Sequence, residues 1–192
     1  ADNQEVDYQP RIYVGDNGLS YWSGGGSLDR GTWYHITART DGNWYKLLVD
    51  GNEVSALTHD NLQLSSSSIF SIGANPSGTE NFQGIIDKVS IWNTFLNQQE
   101  ITALYNSGSG LDASVNSGNY TSSATLQGYW EFTAGSGLTL YDHSGNQNHG
   151  MINGATWVEN IPGCDPLPTE GYTKINGTCY YTSDLDVLVA FA

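Results

Sequence analysis

Apolar and polar residues alternate in short runs along most of the chain, and this period of two is typical of half-buried β-strands. The pattern is clearest in residues 31–57, where the pairs Asp41-Gly42 and Asp50-Gly51 separate two alternating runs and an outgoing segment. An Asp-Gly pair between alternating runs is the strongest short-range signal of a β-hairpin. This part of the chain is therefore predicted to form consecutive antiparallel strands.

The same alternation predicts further strands on both sides of this hairpin. They cover residues 11–22 (two strands around a turn), 68–74, 82–93, 126–132 and 150–157. Within residues 82–93, the face that carries Ile85, Val89 and Ile91 also carries Asp87. A carboxylate on a mostly apolar face is costly unless it has a partner, so a partner is predicted for Asp87.

One segment has the period of a helix instead. Asn97 takes the N-cap position, Glu100 follows three residues later as in a capping box, and Gly108 marks the end. The predicted apolar stripe of this helix consists of Ile101, Leu104 and Tyr105. Residues 106–125 are rich in Ser, Asn and Gly, and they are predicted to form a polar, linker-like loop.

The composition agrees with an all-β protein and narrows its partners. Of 192 residues, 12% are aromatic and 23 are Gly, whereas Lys and Arg number only 6 against 20 acidic residues. The net charge of −14 repels phosphate backbones, so nucleic acid is not expected as a partner, and anionic membrane surfaces are disfavoured for the same reason. Carboxylate and amide oxygens favour divalent cations instead. No apolar run is long enough to predict insertion into a membrane.

The two cysteines, Cys164 and Cys179, lie close together near the end of the chain. In an acidic, Lys-poor β protein they predict one local disulfide and an oxidising, extracellular compartment. Two free thiols are the alternative, although no CxxC motif offers them metal or redox chemistry. The predicted division is one β domain over residues 1–160 and a disulfide-closed segment with an apolar tail over residues 161–192.

The sequence lacks the motifs of common catalytic sites. A glycoside hydrolase needs two carboxylates that flank the scissile bond, and no run such as E-x-D-x-E presents them from one strand. There is no G-x-S-x-G for a serine nucleophile, and the four histidines have no H-E-x-x-H spacing. A non-catalytic protein is therefore predicted.

Three blocks of the sequence, taken together, resemble one family. "GTWYHITARTDGNWYKLLVDGNEV" (31–54) is similar to the central hairpin of the laminin-G-like jelly-roll domains of the concanavalin A-like superfamily. "FQGIIDKVSIWNTFLNQQEITALYNSG" (82–108) resembles their closing strand and the helix after it. "LQGYWEFTAGSGLTLYDHSGNQNHGMINGATW" (126–157) resembles a block that opens such a domain or follows directly behind it.

The resemblance implies an all-β, antiparallel jelly-roll sandwich with one short helix, followed here by the small disulfide-closed C-terminal segment. Domains of this family also have upstream strands, and nothing similar to them precedes residue 11. One hypothesis is that the strand-like tail, Leu185 to Ala192, fills such a gap in its own subunit or in a neighbouring one. That hypothesis requires the tail to form a hydrogen-bonded ladder.

The function that the likeness implies is a non-catalytic, extracellular binding or adhesion module of a larger secreted protein, with carbohydrate or another cell-surface ligand as its partner. The first alternative is a structural protein whose copies assemble into filaments or a surface layer by strand exchange. The second alternative is a divergent glycoside hydrolase. The fold alone does not separate them, because this sandwich carries lectins, enzymes and spacers alike.

A calcium site is predicted in "DHSGNQNHG" (142–150), which places Asp142, Asn146 and Asn148 on a Gly-containing loop. Carboxylate, amide and carbonyl oxygens suit Ca²⁺, and relatives often hold a structural calcium near such loops. Asp87 is a further candidate ligand, since a cation would explain its place on an apolar face. The alternative is an array of Asx turns, in which Asp and Asn side chains bind their own backbone without an ion.

Exposed aromatic rings beside polar loops are the expected stacking platforms for a sugar. Trp22, Trp44 and Tyr45 lie beside Gly- or Asn-rich loops, and they are the predicted ligand-binding residues. The other tryptophans lie in patterned strands and are predicted to belong to the core: Trp33, Trp92, Trp130 and Trp157.

Overall fold

The computed structural model describes residues 9–16, 19–58, 70–75, 77–78 and 80–158, and three later strands. For residues 12–16 and 19–23, and for those three strands, the description covers the backbone alone. The strands are β1 (Arg11–Asp16), β2 (Leu19–Gly24), β3 (His35–Thr40), β4 (Trp44–Val49), β5 (Asn52–Thr58), β6 (Val89–Trp92), β7 (Leu126–Trp130), β8 (Thr139–Leu140), β9 (Gly150–Met151), β10 (Tyr172–Ile175), β11 (Thr178–Tyr181) and β12 (Leu188–Phe191). One α-helix, α1 (Gln98–Tyr105), lies between β6 and β7, and 3₁₀ turns cover Asn106–Gly108 and Ser123–Thr125.

The main sheet has six strands in the order β5-β4-β3-β12-β6-β7. The β3–β4, β4–β5 and β6–β7 pairs are antiparallel, as predicted for a jelly roll. The last strand corrects the prediction of an antiparallel sheet, because β12 lies between β3 and β6 and is parallel to both. β1–β2, β8–β9 and β10–β11 form separate two-stranded antiparallel sheets. The tail residues 188–191 do form a ladder, in the sheet of their own chain.

The hairpin turns confirm the Asp-Gly signals. Between β4 and β5, Asp50 and Gly51 have φ angles of 49° and 76°, the left-handed pair that a type I′ turn requires. Between β3 and β4, Gly42 has a φ angle of 93° and the carboxylate of Asp41 accepts hydrogen bonds from the N–H groups of Asn43 and Trp44. Both turns therefore follow from residues that tolerate positive φ or bind the backbone locally.

The helix also begins as predicted. Oδ1 of Asn97 accepts hydrogen bonds from the N–H groups of Gln99 and Glu100, and the Glu100 carboxylate accepts one from Asn97 N–H, which completes the capping box. The helix ends at Tyr105 because Asn106 turns into the left-handed region with φ 46°. Among the described residues, no helix is long and apolar enough to cross a bilayer.

The core lies on both faces of the sheet. Neighbouring residues of β4 point to opposite sides, so Leu48 packs under α1 with Ile101 whereas Leu47 packs on the other face with Ile36. A third cluster, at the β6–β7 end, contains Val89, Trp130 and Leu140. The buried members of the α1 side are Leu48, Trp92, Leu96, Ile101, Leu104, Ala113, Tyr120, Leu126 and Tyr129.

Residues 106–125 correct the prediction of a linker-like loop. Tyr120 is fully buried, its hydroxyl accepts a hydrogen bond from Trp92 Nε1 (2.8 Å) and donates one to the carbonyl of Ala113 (2.7 Å). The carboxylate of Glu100, 3% exposed, accepts hydrogen bonds from Thr121 N–H and from the hydroxyls of Thr121 and Ser122. Single buried residues such as Tyr120 and Glu100 hold this loop in place. Because they have no periodic spacing, the alternation of apolar and polar residues did not predict an ordered loop.

Several strands are shorter than the alternation predicts. The strand predicted over 82–93 begins at Val89, because Lys88 has a φ angle of 54°. β7 stops at Trp130, two residues before Phe132 turns left-handed with φ 56°. Residues 70–74 are bends rather than strand, and residues 68 and 69 lie outside the described residues. Single residues of positive φ end the extended backbone in ways that side-chain periodicity does not reveal.

Replacing Gly128 by Ala tests the packing on β7. The added methyl group would lie 2.4 Å from the indole of Trp130, which is 5% exposed and packs with Val89 and Leu140. The indole would have to leave its place, so we expect a loss of about 1–3 kcal/mol of unfolding free energy in a urea titration. Gly150→Ala is the matched control, since its methyl group would meet Leu140 at an ordinary 3.6 Å. An equal loss in both variants would contradict this packing argument.

Candidate functional site

The loop of residues 142–149, here called the edge-capping loop, covers the outer edge of β7. β7 is the last strand of the six-stranded sheet, so one side of its backbone has no neighbour among the described strands. Tyr129 N–H donates a hydrogen bond to Oδ1 of Asp142 (2.8 Å), and the carbonyl of Tyr129 accepts one from His143 N–H (2.7 Å). The loop therefore takes the place of a strand at the position of Tyr129.

Amide side chains of the loop extend this cap along β7. Nδ2 of Asn146 donates a hydrogen bond to the carbonyl of Leu126 (2.9 Å), and Nδ2 of Asn148 donates one to the carbonyl of Gln127 (2.8 Å). The indole N–H of Trp130 points from the core to the carbonyl of Asn148 (3.1 Å). Side-chain donors therefore satisfy carbonyl groups that a further strand would otherwise have to satisfy.

The carboxylate of Asp142 organises the loop. It is 7% exposed, and besides Tyr129 N–H it accepts hydrogen bonds from Ser144 N–H (2.8 Å), the Ser144 hydroxyl (2.8 Å) and Asn148 N–H (2.9 Å). Burial raises the pKa of Asp142, but the hydrogen bonds from Ser144, Tyr129 and Asn148 together outweigh it, so the pKa lies below its ordinary value of 3.8. The ionised form is the one that the fold stabilises.

The structure places three of the four predicted calcium ligands on one loop, whereas the fourth, Asp87, directly precedes Lys88 and β6. Asp142, Asn146 and Asn148 share the loop, but their hydrogen bonds form the Asx-type array that was the alternative to a calcium site. Asp87 has Lys88 and Glu131 as electrostatic neighbours, and its pKa is raised by burial and by Glu131. In the part of the chain that the structure describes, no three His, Cys, Asp or Glu residues group as metal ligands. Calcium binding stays a prediction.

An aromatic cleft of about 160 Å³ opens beside this loop. It is lined by Phe132, Thr133, Ala134, Leu140, Tyr141, His143 and Trp157. Tyr141 and His143 flank Asp142 in the chain, so the hydrogen bonds of that carboxylate fix the backbone on both sides of it. The edge-capping loop thereby positions two walls of the cleft.

The opposite wall depends on Phe132 and Trp157. Phe132 has a φ angle of 56°, a conformation that a bulky side chain adopts only at a cost of about 1–3 kcal/mol, and it lines the cleft. Trp157 Nε1 donates a hydrogen bond to the carbonyl of Gly137 (2.8 Å), which ties the Gly-rich loop after Phe132 to the indole. The strained residue and the anchored indole therefore meet at the same concave surface.

The exposed rim of the cleft is Tyr141, whose side chain is 52% exposed. Its ring lies edge-on to His149 at 5.4 Å, and Nδ1 of His149 accepts a hydrogen bond from Asp142 N–H (3.0 Å). This hydrogen bond holds the imidazole of His149 in place beside the Tyr141 ring. An exposed ring held by a rigid backbone is suited to stacking on a ligand.

The residues predicted to bind a ligand lie on two different sheets, Trp22 on β2 and Trp44 and Tyr45 on β4. Tyr45 is 6% exposed, so its ring presents no open face, and the predicted stacking role does not fit its position. Trp44 is half-buried, with the edge of Phe95 at 5.1 Å and Nζ of Lys46 at 4.8 Å from its ring centroid. Trp22 pairs with Tyr13 through the backbone of β2, and its side chain lies outside the described residues.

The tryptophans predicted for the core divide into two groups. Trp92 and Trp130 are buried, as predicted. Trp33 is 49% exposed, which contradicts its assignment to the core, and Trp157 is half-buried and lines the cleft. Strand patterning alone misled here, because residues 31–34 precede β3 and residues 152–157 follow β9. The sequence did contain one signal for the cleft: Phe132 and Tyr141 are aromatic residues on either side of the Gly-containing segment 133–140.

The predicted disulfide stays a prediction. Cys164 lies outside the described residues, and for Cys179 the structure gives the backbone, which pairs with Lys174 in the β10–β11 hairpin.

Asp142→Asn tests the edge-capping loop. The new amide group would face N–H and O–H donors at the place of one carboxylate oxygen, so we expect a loss of about 2–3 kcal/mol of unfolding free energy at pH 7, measured by urea denaturation. Asp112→Asn is the matched control, because the exposed Asp112 binds Ser114 N–H and its hydroxyl through a single oxygen that Asn retains. Equal small effects in both variants would contradict an organising role for Asp142.

The same carboxylates make stability depend on acid pH. Asp142 and Glu100 have pKa values below their ordinary 3.8 and 4.5, so their contribution is complete above those values and is lost as the pH falls through them. We expect the unfolding free energy to decrease between about pH 5 and pH 3, and the gap between wild type and Asp142→Asn to narrow. Asp87, with a raised pKa, acts in the opposite direction. Constant stability across this range would contradict the assignment.

Calcium titration separates the two interpretations of residues 142–150. If the side chains cap the sheet edge, millimolar Ca²⁺ produces no heat of binding in calorimetry and no rise in Tm. A saturable rise in Tm that Asp142→Asn abolishes would restore the calcium site.

Comparison with known proteins extends the picture of the fold. The family model Laminin_G_3, of the concanavalin A-like lectin/glucanases superfamily, matches residues 2–102, just over half of the 192 residues. The matched range contains the β3–β4 hairpin and β6 and ends within α1. No curated protein and no solved structure matches the chain significantly.

The match agrees with the observed architecture of mostly antiparallel strands with one short helix. Laminin-G-like domains are generally non-catalytic binding modules and typically extracellular, although the superfamily also includes glycosidases. With the hairpin, the closing strand and the helix all in place, the chain belongs to the laminin-G-like family of the concanavalin A-like lectin/glucanase superfamily.

Proposed function

We propose that this protein is a non-catalytic, extracellular module that binds carbohydrate in the aromatic cleft. The observation that carries the proposal is the convergence of Phe132, Tyr141 and Trp157 on one concave surface, with Tyr141 52% exposed at its rim. Aromatic faces stack on the apolar faces of sugar rings, and a few polar groups then select the hydroxyl pattern. Thr133 and His143 are the polar side chains of this cleft.

The size and charge of the cleft narrow the ligand. The cleft is small, about 160 Å³, so a terminal or isolated sugar unit is the proposed ligand rather than the interior of a long polysaccharide. None of the residues that line the cleft is Lys or Arg, and the chain carries a net charge of −14. Sulfated or uronic-acid polymers would be repelled, so neutral glycans are the proposed ligand class.

The same lining supports binding rather than hydrolysis. A glycosidase positions two carboxyl groups on either side of the scissile bond, and none of the seven residues that line the cleft is Asp or Glu. Two acids adjoin lining residues in the chain: Asp142 uses both carboxylate oxygens to accept hydrogen bonds from the protein, and Oε1 of Glu131 accepts one from the Tyr129 hydroxyl (2.7 Å). A divergent glycoside hydrolase is therefore the weaker candidate.

Glycan binding by two cleft variants tests the proposal. We expect the full chain to bind a subset of an array of neutral mono- and oligosaccharides, and Trp157→Ala and Tyr141→Ala to lower the affinity for those glycans at least about tenfold in calorimetry. Trp33→Ala is the matched control, because Trp33 is 49% exposed, close to the 52% of Tyr141, but is not among the residues that line the cleft. Absence of binding to any neutral glycan at millimolar concentration, or an equal loss in the control, would contradict the cleft as the site.

A further inference from the structure

The six-stranded sheet depends on a strand that arrives from a distant part of the chain. β12 is the only described strand between β3 and β6: Leu188 to Phe191 pair with His35 to Ala38 on one side, and Phe191 pairs with Ile91 on the other. Without β12 the order β5-β4-β3-β12-β6-β7 becomes two separate antiparallel sheets. The position of β12 is called the strand slot below.

Two features make occupancy of the strand slot exchangeable. The β10–β11 hairpin that precedes β12 forms a two-stranded sheet of its own, and none of the described residues pairs it with the main sheet. Parallel pairs are also slightly weaker per residue than antiparallel ones, and β12 has parallel pairs on both sides. β12 is therefore held in the sheet by its pairs with β3 and β6 alone, and the strand that precedes it along the described chain, β11, does not pair with it.

β3, the strand beside the slot, carries buried polar atoms whose hydrogen-bonding capacity is not satisfied. His35, Thr37 and Arg39 alternate along one face of β3 and are buried, and among the described residues His35 Nδ1, Thr37 Oγ1 and Arg39 Nε have no hydrogen-bond partner. Unsatisfied buried groups lower the stability of the closed form. These side chains face the α1 side, where His35 stacks on Tyr105 and Arg39 Nη1 donates a hydrogen bond to the carbonyl of Leu96, so the unsatisfied atoms weaken the packing of β3, the strand beside the slot.

The outer edges of the sheet leave less room for association. The edge-capping loop covers β7 through Asp142 and its amide side chains. At the other edge, Gly25 lies so close to β5 that a Cβ atom would be 2.3 Å from the carbonyl oxygen of Val54. Edge-to-edge pairing of copies is thus obstructed at these points, whereas exchange of an interior strand is not.

We propose that the strand slot accepts β12 from a second copy of this chain, so that two or more copies assemble by strand exchange. The second copy is the fitting occupant because the exchanged strand repeats the pairing of Leu188 to Phe191 with His35 to Ala38 that one chain already forms. This assembly is distinct from the aromatic cleft, because none of the described residues that line the cleft belongs to β3 or β6.

The test uses the full chain, two proline variants and a synthetic peptide of residues 185–192. Val189→Pro disables β12, whereas Thr173→Pro makes the same change in the β10–β11 hairpin, outside the main sheet. We expect fluorescent peptide to bind Val189→Pro at least tenfold more tightly than Thr173→Pro or wild type. A peptide with proline at position 189 should not bind. If Val189→Pro unfolds, the peptide should restore its circular dichroism spectrum.

The second copy is tested with wild-type chains that carry donor or acceptor dyes. After partial unfolding in urea and return to buffer, energy transfer and dimer mass should rise with protein concentration, and Val189→Pro should abolish both. Failure of the peptide to bind or refold Val189→Pro would overturn the strand slot. Wild type that stays monomeric at every concentration would overturn the second copy as its occupant.

Discussion

The carboxylate of Asp142 is the contact on which both the sheet edge and the candidate binding site depend. It receives Tyr129 N–H where a neighbouring strand would have offered a carbonyl, and further donors come from Ser144 and Asn148. Because Tyr141 and His143 adjoin it in the chain and line the cleft, the bonds that close the edge also hold the cleft open. A buried acceptor of this kind is costly to disturb, since each orphaned donor loses about 1–3 kcal/mol.

Among the described residues, the buried acids Glu100 and Asp142 are stabilised by hydrogen-bond donors of the protein. Glu100 accepts hydrogen bonds from Asn97 N–H, Thr121 and Ser122, and thereby fixes the start of α1 to the loop that follows it. Asp142 does the same between β7 and the edge-capping loop. With 6 basic residues against 20 acidic ones, Ser, Thr, Asn and backbone N–H groups are the donors at hand. The polar, Lys-poor composition thus has a structural counterpart: loops pinned to the sheet by single carboxylates.

Features that arise from neighbouring residues were predictable, and features that arise from distant ones were not. The left-handed pair Asp50-Gly51 and the capping box of Asn97 and Glu100 follow from local chemistry, and the family likeness is confirmed over residues 2–102. The tail was offered as a strand that could fill a gap, but its position between β3 and β6 and its parallel direction depend on pairing across most of the chain, which no periodicity encodes. The cleft was missed because it depends on the left-handed backbone of Phe132 and on distant contacts. The segment "DHSGNQNHG" contains the residues that form the edge-capping loop, but the backbone groups that they bind lie on β7, which the segment itself does not reveal.

Amide hydrogen exchange at Tyr129 tests the central claim most directly. An outward N–H on an edge strand exchanges quickly unless something accepts its hydrogen bond, and here the acceptor is the carboxylate of Asp142 at 2.8 Å. The account predicts that Tyr129 N–H is protected in the wild-type protein to nearly the level of the β6–β7 ladder, and that Asp142→Ala removes this protection while the ladder itself stays protected. Rapid exchange of Tyr129 N–H in the wild type, or unchanged protection in Asp142→Ala, would contradict it.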